Sequence, residues 1–322
     1  MKRLVQVLLV LLVFWVLGVK VGWAKETELK NKKGVHILFP YEIEAAAEIV
    51  GENGWVVVPM NMNDWGKLDM WQDFFQKAAQ LKVRVIVRLV TYPKGGVWAK
   101  PRLIDAIDWA NFLSLLDWQD EEKWVIIFNE PNHAKEWGGM IEPEYYAMIL
   151  KEFAIKLKAK DLGFKVLPAA MDMAAGNTKE TVSAWLYWEG VWKKLGNEFY
   201  VLVDGWNAHA YPNPAFSAKP QLDKKNNIVS YRWEIKWWER YFKREWDKPV
   251  FITETGWSNK LLTDKRRMEY AYYAWDKVWQ KDDRVISVNW FLLNGWPGPF
   301  ADFSLMQDLK LNSMGEFWQS LK

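Results

Sequence analysis

The chain has 322 residues, of which 50% are hydrophobic and 26% are charged, and it contains no cysteine. This length suits one large α/β domain or two ordinary ones, the apolar share is sufficient for a large core, and disulfide bonds are excluded. The formal net charge is +3, and residues 1–24 account for all of it with three basic residues and no acidic one, so the rest of the chain is neutral and nucleic acid is not an expected partner.

Residues 1–24 have the pattern of a secretory signal peptide. Lys2 and Arg3 precede a mostly apolar run, and Gly22-Trp23-Ala24 places small residues at the −3 and −1 positions of a cleavage point. The apolar run is somewhat short for a membrane span, and an uncleaved membrane anchor is the alternative. We therefore predict a signal peptide or N-terminal membrane anchor over 1–24, a polar spacer over 25–33 and one folded domain over 34–322. The protein would then be exported, either secreted or periplasmic or anchored on the outer side of the cytoplasmic membrane.

Strand and helix patterns alternate along residues 34–322. Short apolar runs rich in β-branched residues predict strands, and longer stretches with apolar residues three and four apart predict helices. Eight strands alternating with eight helices is the count for a single α/β domain with the (β/α)8, or TIM-barrel, architecture. The predicted strands are 35–39, 55–58, 83–90, 124–130, 165–169, 203–208, 250–254 and 285–292, and the predicted helices are 43–51, 69–81, 103–116, 142–160, 181–195, 230–245, 265–281 and 312–321.

The connecting segments differ in length on the two sides of the predicted sheet. Helix-to-strand turns such as 161–164 are short, whereas strand-to-helix segments such as 91–102 and 211–229 are long. This asymmetry predicts a functional face at the carboxyl ends of the strands. A doubly wound open sheet is the alternative fold, but it calls for a Gly-rich phosphate-binding loop after an early strand, and Phe39-Pro40-Tyr41-Glu42 is not such a loop.

Two of the predicted strands end in a glutamate. Trp124-Val125-Ile126-Ile127-Phe128 leads into Asn129-Glu130-Pro131, where the proline ends the strand and is expected to keep Glu130 extended. Glu254 has the same position in Ile252-Thr253-Glu254-Thr255-Gly256-Trp257. Either residue alone could be an ordinary strand-end carboxylate paired with Arg or Lys. Two carboxylates at the same end of one parallel sheet are what cleavage of a glycosidic bond requires.

With these two motifs in this strand order, the chain resembles the retaining glycoside hydrolases of clan A, whose (β/α)8 barrels include the cellulase-like and mannanase-like families. The resemblance covers the whole barrel and does not assign a family within the clan. It implies an enzyme that hydrolyses O-glycosyl bonds of a β-linked glycan by double displacement, with Glu130 as general acid/base and Glu254 as nucleophile. It also implies that Asn129 hydrogen-bonds the 2-hydroxyl of the sugar.

The resemblance extends to three further positions. Trp206-Asn207-Ala208-His209-Ala210-Tyr211 resembles the His-x-Tyr pattern of the clan, which implies that Tyr211 orients the nucleophile and that His209 lines the site, although a satisfied structural histidine is the alternative. Trp290 on the eighth predicted strand corresponds to a tryptophan that often forms the floor beneath the −1 sugar. It would suit the barrel core equally well.

Arg88, on the third predicted strand, is a candidate to keep Glu254 ionised by pairing with it. Many clan members take this arginine from the second strand, and here the second predicted strand has none. Three interpretations follow: the strand count is wrong by one, the third strand supplies the charge, or Arg88 pairs with an ordinary acid.

The chain has 24 tryptophans, and a surplus of flat rings fits stacking on the apolar faces of pyranoses. Most should fill the core, and two or three rings on the strand-to-helix segments should contact glycan. The candidates are Tyr92, Trp98, Trp137, Trp257 and Trp296. Because they are spread over several loops, an open groove and endo action are favoured, with an exo-acting pocket or a transglycosylase using the same residues as alternatives.

The alternative from another class is a non-catalytic glycan-binding barrel at the cell envelope. The presence of both carboxylates argues against it. No cofactor is predicted. No metal is predicted either, because the chain has only three histidines, no cysteine and no ligand spacing for zinc or calcium. Membrane contact is expected only through residues 1–24 if they stay uncleaved.

Overall fold

The computed structural model describes residues 31–118 and 120–322. Eight parallel strands form one sheet in the order β5-β4-β3-β2-β1-β8-β7-β6, so that strands consecutive in the chain are neighbours in the sheet, except for β5 and β6 at its two ends. The strands are β1 (Lys33–His36), β2 (Trp55–Asn61), β3 (Arg84–Val90), β4 (Lys123–Ile127), β5 (Phe164–Pro168), β6 (Trp206–His209), β7 (Val250–Thr255) and β8 (Val285–Trp290).

Side-chain and backbone hydrogen bonds join the two end strands of the sheet, β5 and β6. Asn207 on β6 donates from Nδ2 to the carbonyl of Pro168 on β5 at 3.0 Å. Asp204, just before β6, exchanges two bonds with Val166 on β5, one through its backbone amide and one through its carboxylate, both 2.8 Å. The sheet is therefore nearly closed, and the predicted (β/α)8 barrel is confirmed.

Helices lie between the strands and cover the outside of the barrel. All eight predicted helices are present, and one short helix, α6, is additional. The helices are α1 (Ile43–Val50), α2 (Leu68–Gln80), α3 (Asp105–Leu115), α4 (Pro143–Lys160), α5 (Ala184–Leu195), α6 (Glu198–Leu202), α7 (Ser230–Phe242), α8 (Asp264–Tyr273, continued by a π-helix over Ala274–Trp279) and α9 (Ser313–Ser320).

The predicted leader over 1–24 lies outside the described residues. Of the helices within 31–118 and 120–322, none combines the length and the apolar character needed to cross a membrane. Lys33, which we expected in the spacer, is the first residue of β1, and its Nζ donates to the carbonyls of Gln319 and Leu321 at 2.8 Å each. The barrel therefore includes at least this last residue of the predicted spacer.

The barrel interior is apolar at one end only. Its cluster of buried side chains comes from β2, β3, β4, β5 and β7, and the ring centroids of Trp124 and Phe251 lie 4.3 Å apart there. Side chains alternate between the two faces of a strand, so a second and larger core lies between the sheet and the helices. The carboxyl ends of the strands remain free for polar side chains, which is where both predicted carboxylates lie.

Candidate active site

Glu130 and Glu254 face each other across His209. Glu254 is on β7, Glu130 follows β4, and His209 is the last residue of β6. Nδ1 of His209 lies 2.7 Å from Oε1 of Glu130 and 3.6 Å from Oε2 of Glu254. These two carboxylate oxygens can therefore be no further apart than the sum of the two distances.

The backbone that presents Glu130 differs from the prediction. Strand β4 ends at Ile127, and the φ angles of Phe128 and Glu130 are +67° and +30°. The predicted extended conformation of Glu130 is wrong. The phenyl ring of Phe128 packs 5.2 Å from that of Phe153 on α4, so the chain must turn sharply after the strand. This packing outweighs the local preference that Pro131 imposes, and such left-handed backbone in a non-glycine residue costs roughly 1–3 kcal/mol.

Glu254 is buried, and each of its two carboxylate oxygens has neighbouring polar side chains. Nη1 of Arg88 donates to Oε1, and the hydroxyl of Tyr211 donates to Oε2 at 2.9 Å. His36, at the end of β1, places Nε2 3.9 Å from Oε1. Together with His209, these partners come from β1, β3, β6 and the segment after β6.

The charges of these partners set the ionisation of the site. Burial by itself would raise the pKa of Glu254, but His209 and Arg88 lower it to about 2. Burial would lower the pKa of His209, but the carboxylates of Glu254 and Glu130 raise it. Burial, reinforced by Arg88, lowers the pKa of His36 to about 3. The site therefore holds an ionised Glu254 and a neutral His36 near neutral pH.

Arg88 lies on β3, so the strand count is correct and the third strand supplies the positive charge. The same Nη1 also donates to Oδ1 of Asn129 at 3.0 Å. This contact fixes the orientation of the Asn129 amide, whose Nδ2 points to Oε2 of Glu136 at 3.4 Å. Burial and the charge of Glu130 raise the pKa of Glu136.

Sequence reasoning missed Glu136, His36 and the pair formed by His133 and Asp172, whose Nε2 and Oδ2 atoms are 2.9 Å apart. Glu136 lies within a loop and has no strand-end signal. His36 lies inside the predicted strand 35–39, and only the earlier end of β1 in the structure places it at the carboxyl end of that strand. Asp172 follows β5 and becomes a neighbour of His133 only when the loops after β4 and β5 meet.

Three of the tryptophans that we predicted to contact sugar lie away from the carboxylate pair. Trp290, Trp257 and Trp137 are fully buried in the layer between the sheet and the helices. Nε1 of Trp290 donates to the carbonyl of Phe303 at 2.9 Å, and its ring lies 5.3 Å from that of Trp318 on α9. Because neighbouring side chains on a strand face opposite ways, Trp290 cannot form the floor of the site.

Trp257 and Trp137 are held in the same outer layer. Nε1 of Trp257 donates to the carbonyl of Ala218 at 2.9 Å, and the ring of Trp137 lies 5.6 Å from that of Tyr146 on α4. Trp296, by contrast, is 44% exposed on the segment after β8. Of the five predicted tryptophans, Trp98 is partly buried, and Trp296 is the one that is exposed to a ligand.

No protein-family model matches the chain, and no curated protein matches it. A solved β-xylosidase from Caulobacter crescentus is similar with a TM-score of 0.64 and 15% identity, over 90% of this chain and 67% of that one. An endo-β-1,3-glucanase from Pseudomonas viridiflava gives 0.55 and 15%, over 90% and 98% of the two chains. An endo-β-1,4-glucanase from Xanthomonas axonopodis pv. citri gives 0.57 and 14%, over 90% and 97%.

At such low identity these similarities establish the fold. The chain has the (β/α)8 barrel of these glycosidases, and the resemblance to clan A seen in the sequence is confirmed as a resemblance of fold.

We expect Glu254→Gln to lower stability in a pH-dependent way. The pKa of this carboxyl is about 2 in the folded protein against 4.5 for an unperturbed glutamate, so its ionisation stabilises the fold above about pH 4.5, and this contribution is lost as the pH falls toward about 2. The variant should lose about 1–3 kcal/mol of unfolding free energy near pH 6 and clearly less near pH 3, as measured by urea titration.

Glu180→Gln, at an exposed position, is the control, and its unfolding free energy should differ little from that of the wild type at either pH. An equal loss for Glu254→Gln at both pH values would contradict the assigned ionisation.

Proposed function

We propose that the protein is a retaining β-glycoside hydrolase that acts by double displacement. The observation that carries the proposal is the pair of carboxylates on either side of His209. Oε1 of Glu130 and Oε2 of Glu254 both lie within 3.6 Å of Nδ1 of His209. This limit supports the separation of roughly 5–5.5 Å found in retaining enzymes over the roughly 6.5–9.5 Å of inverting enzymes, which leave room for a water molecule between acid and base. A pair this close suits direct attack on the anomeric carbon.

Glu254 takes the role of nucleophile. It must be ionised to attack, and its lowered pKa meets this need. Arg88 and Tyr211 bind its two oxygens from different directions, which fixes the orientation of the carboxylate. Attack forms a glycosyl ester on Glu254 and breaks the bond to the leaving oxygen.

Glu130 takes the role of general acid and then of general base. Its side chain is more exposed than that of Glu254, 21% against 9%, which suits a group that meets both the leaving group and the incoming water. It gives its proton to the leaving oxygen in the first step. In the second step it accepts a proton from water, and the hydroxyl adds to the anomeric carbon and frees Glu254.

Asn129 takes the role of sugar-binding residue. Its side-chain carbonyl oxygen accepts a hydrogen bond from Arg88, so the amide nitrogen is the atom available to a substrate hydroxyl. The long contact from this nitrogen to Glu136 can be exchanged for a hydrogen bond to the 2-hydroxyl. Such a bond contributes most when it strengthens in the transition state.

The substrate we propose is a β-linked polysaccharide cleaved internally. Support comes from the activities of the similar structures, a β-xylosidase and two endo-β-glucanases. Early products of intermediate length would favour endo action, and release of only mono- or disaccharides would favour exo action. Longer products formed from an added acceptor sugar would identify a transglycosylase. We also propose export, on the basis of residues 1–24.

We expect Glu130→Gln and Glu254→Gln each to lower kcat by about three orders of magnitude or more, because each removes a group that takes part in covalent catalysis. Reducing-end release from a panel of β-1,3-glucan, β-1,4-glucan, mannan and xylan measures this. Glu180→Gln should retain wild-type turnover. Binding of a glycan without turnover, equal in the wild type and both variants, would instead favour the non-catalytic binding protein.

We expect Arg88→Gln to move the acidic limb of the kcat/KM profile to higher pH. Arg88 lowers the pKa of Glu254, so its removal raises that pKa, and the ionised nucleophile is lost at a higher pH than in the wild type. The pH–rate profile on the substrate found above measures the limb. Arg84→Gln is the matched control, because Arg84 begins the same strand and lies over the ring of Trp55 at the opposite end of the barrel. An unmoved limb in Arg88→Gln, or the same shift in both variants, would contradict this role.

A further inference from the structure

The exposed aromatic side chains of the described residues are concentrated on one part of the barrel mouth. Seven Phe, Tyr and Trp side chains are exposed, and only Tyr241 and Tyr272 among them lie on α-helices. The other five lie on the strand-to-helix segments after β1, β3 and β8, and no exposed aromatic side chain of the described residues lies on the segments after β4, β5, β6 or β7. We call these five the aromatic arc: Phe39, Tyr41, Tyr92, Trp296 and Phe300.

This distribution contrasts with how the chain uses its other rings. Among the described tryptophans, Trp296 is the only exposed one. Strands β8 and β1 pair directly, and β2 alone separates β1 from β3, so the five residues follow strands from one contiguous stretch of the sheet. Exposed apolar side chains that cluster on one part of a protein surface mark a binding site, whereas single scattered ones need no explanation.

The loop after β1 holds two of the rings in a fixed arrangement. The rings of Phe39 and Tyr41 are nearly parallel, with an angle of 7° and centroids 5.3 Å apart, and Tyr41 is 74% exposed. Buried Glu42 accepts hydrogen bonds from the backbone amides of Leu38 and Phe39 at 2.8 and 2.9 Å. Pro40 restricts the backbone between the two rings. The flat surface is therefore formed before any ligand arrives.

A row of contacting rings joins the arc to the carboxylate pair. Phe300 lies 5.2 Å from Phe291, and Phe291 lies 5.2 Å from His36, measured between ring centroids. His36 in turn lies 3.9 Å from Glu254. Phe291 and His36 are buried, so this row of rings packs beneath the barrel mouth and connects the exposed rim at Phe300 with the carboxylate pair, on the side of β1 and β8.

We propose that the aromatic arc binds a glycan chain of several pyranose units, which extends from the carboxylate pair over the loops after β8, β1 and β3. The inference rests on the proposed glycosidase function and deepens it, because it assigns the enzyme an extended substrate. Pyranose rings have apolar faces of C–H groups that stack on exposed aromatic rings, and their hydroxyl groups remain in water at the open rim. An arc of separate rings suits a chain of repeating sugars better than a single one.

The test compares a polymer with a small substrate in Tyr41→Ala and Trp296→Ala. For the polysaccharide that the wild type hydrolyses, kcat/KM should fall about tenfold in each variant, the effect of losing one stacked ring that contributes about 1.4 kcal/mol. For the 4-nitrophenyl monoglycoside of the same sugar, which reaches only the carboxylate pair and the adjacent position, kcat/KM should stay within about twofold. Tyr272→Ala, at an exposed ring on α8, should change neither value.

Unchanged polymer hydrolysis in both variants would overturn the arc while leaving the glycosidase intact, and so would an equal loss on both substrates. If the wild type hydrolyses no glycan at all, the proposed function fails, and the arc is tested separately by affinity electrophoresis in gels that contain β-1,3-glucan, β-1,4-glucan or xylan. Retardation of the wild type and of Tyr272→Ala, lost in Tyr41→Ala and Trp296→Ala, would support the arc. No retardation in any gel would overturn it.

Discussion

The buried negative charge of Glu254 is the constraint on which the rest of the site depends. A carboxylate at this depth without a partner would cost several kcal/mol. Its hydrogen-bonding or charged partners are Arg88 on β3, His209 on β6 and Tyr211 after β6, and the neutral ring of His36 on β1 lies beside it. Residues so far apart in the chain meet only because the sheet curves into a barrel, so the fold and the ionisation of the site are established together.

His209 connects this charge to the second carboxylate. It lies between Glu130 and Glu254, and the two negative charges raise its pKa. Its ring contacts both carboxyl groups, so it sets their spacing. Its place at the end of β6 is secured by Asn207 and Asp204, which join β6 to β5. The residues that complete the barrel thus also support the spacing of the two carboxylates.

The sequence predicts the framework of this site well and its details unevenly. Alternating strands and helices and the two strand-end glutamates are read from local patterns, and the structure agrees within a few residues at each element. The left-handed backbone of Glu130 was not predictable, because it follows from the packing of Phe128 against α4. The three interpretations of Arg88 could be separated only by the position of β3 in the nearly closed sheet, which brings this side chain to Glu254.

The buried position of Trp290 could have been predicted from the alternation of residues along its strand. In Ser287-Val288-Asn289-Trp290, polar and apolar residues alternate, which places Trp290 on the same face as Val288, toward the helices. Glu136 shows the opposite case. It lies in a loop, and no periodic pattern in the sequence indicates that the loop folds back to Asn129.

The central claim is that the carboxylates around His209 work by double displacement. The stereochemistry of the first product tests it most directly. Proton NMR of the newly formed reducing end, recorded in the first minutes of hydrolysis and before mutarotation, should give the β-anomer. Appearance of the α-anomer first would mean that water attacks the sugar directly, and it would contradict the role assigned to Glu254.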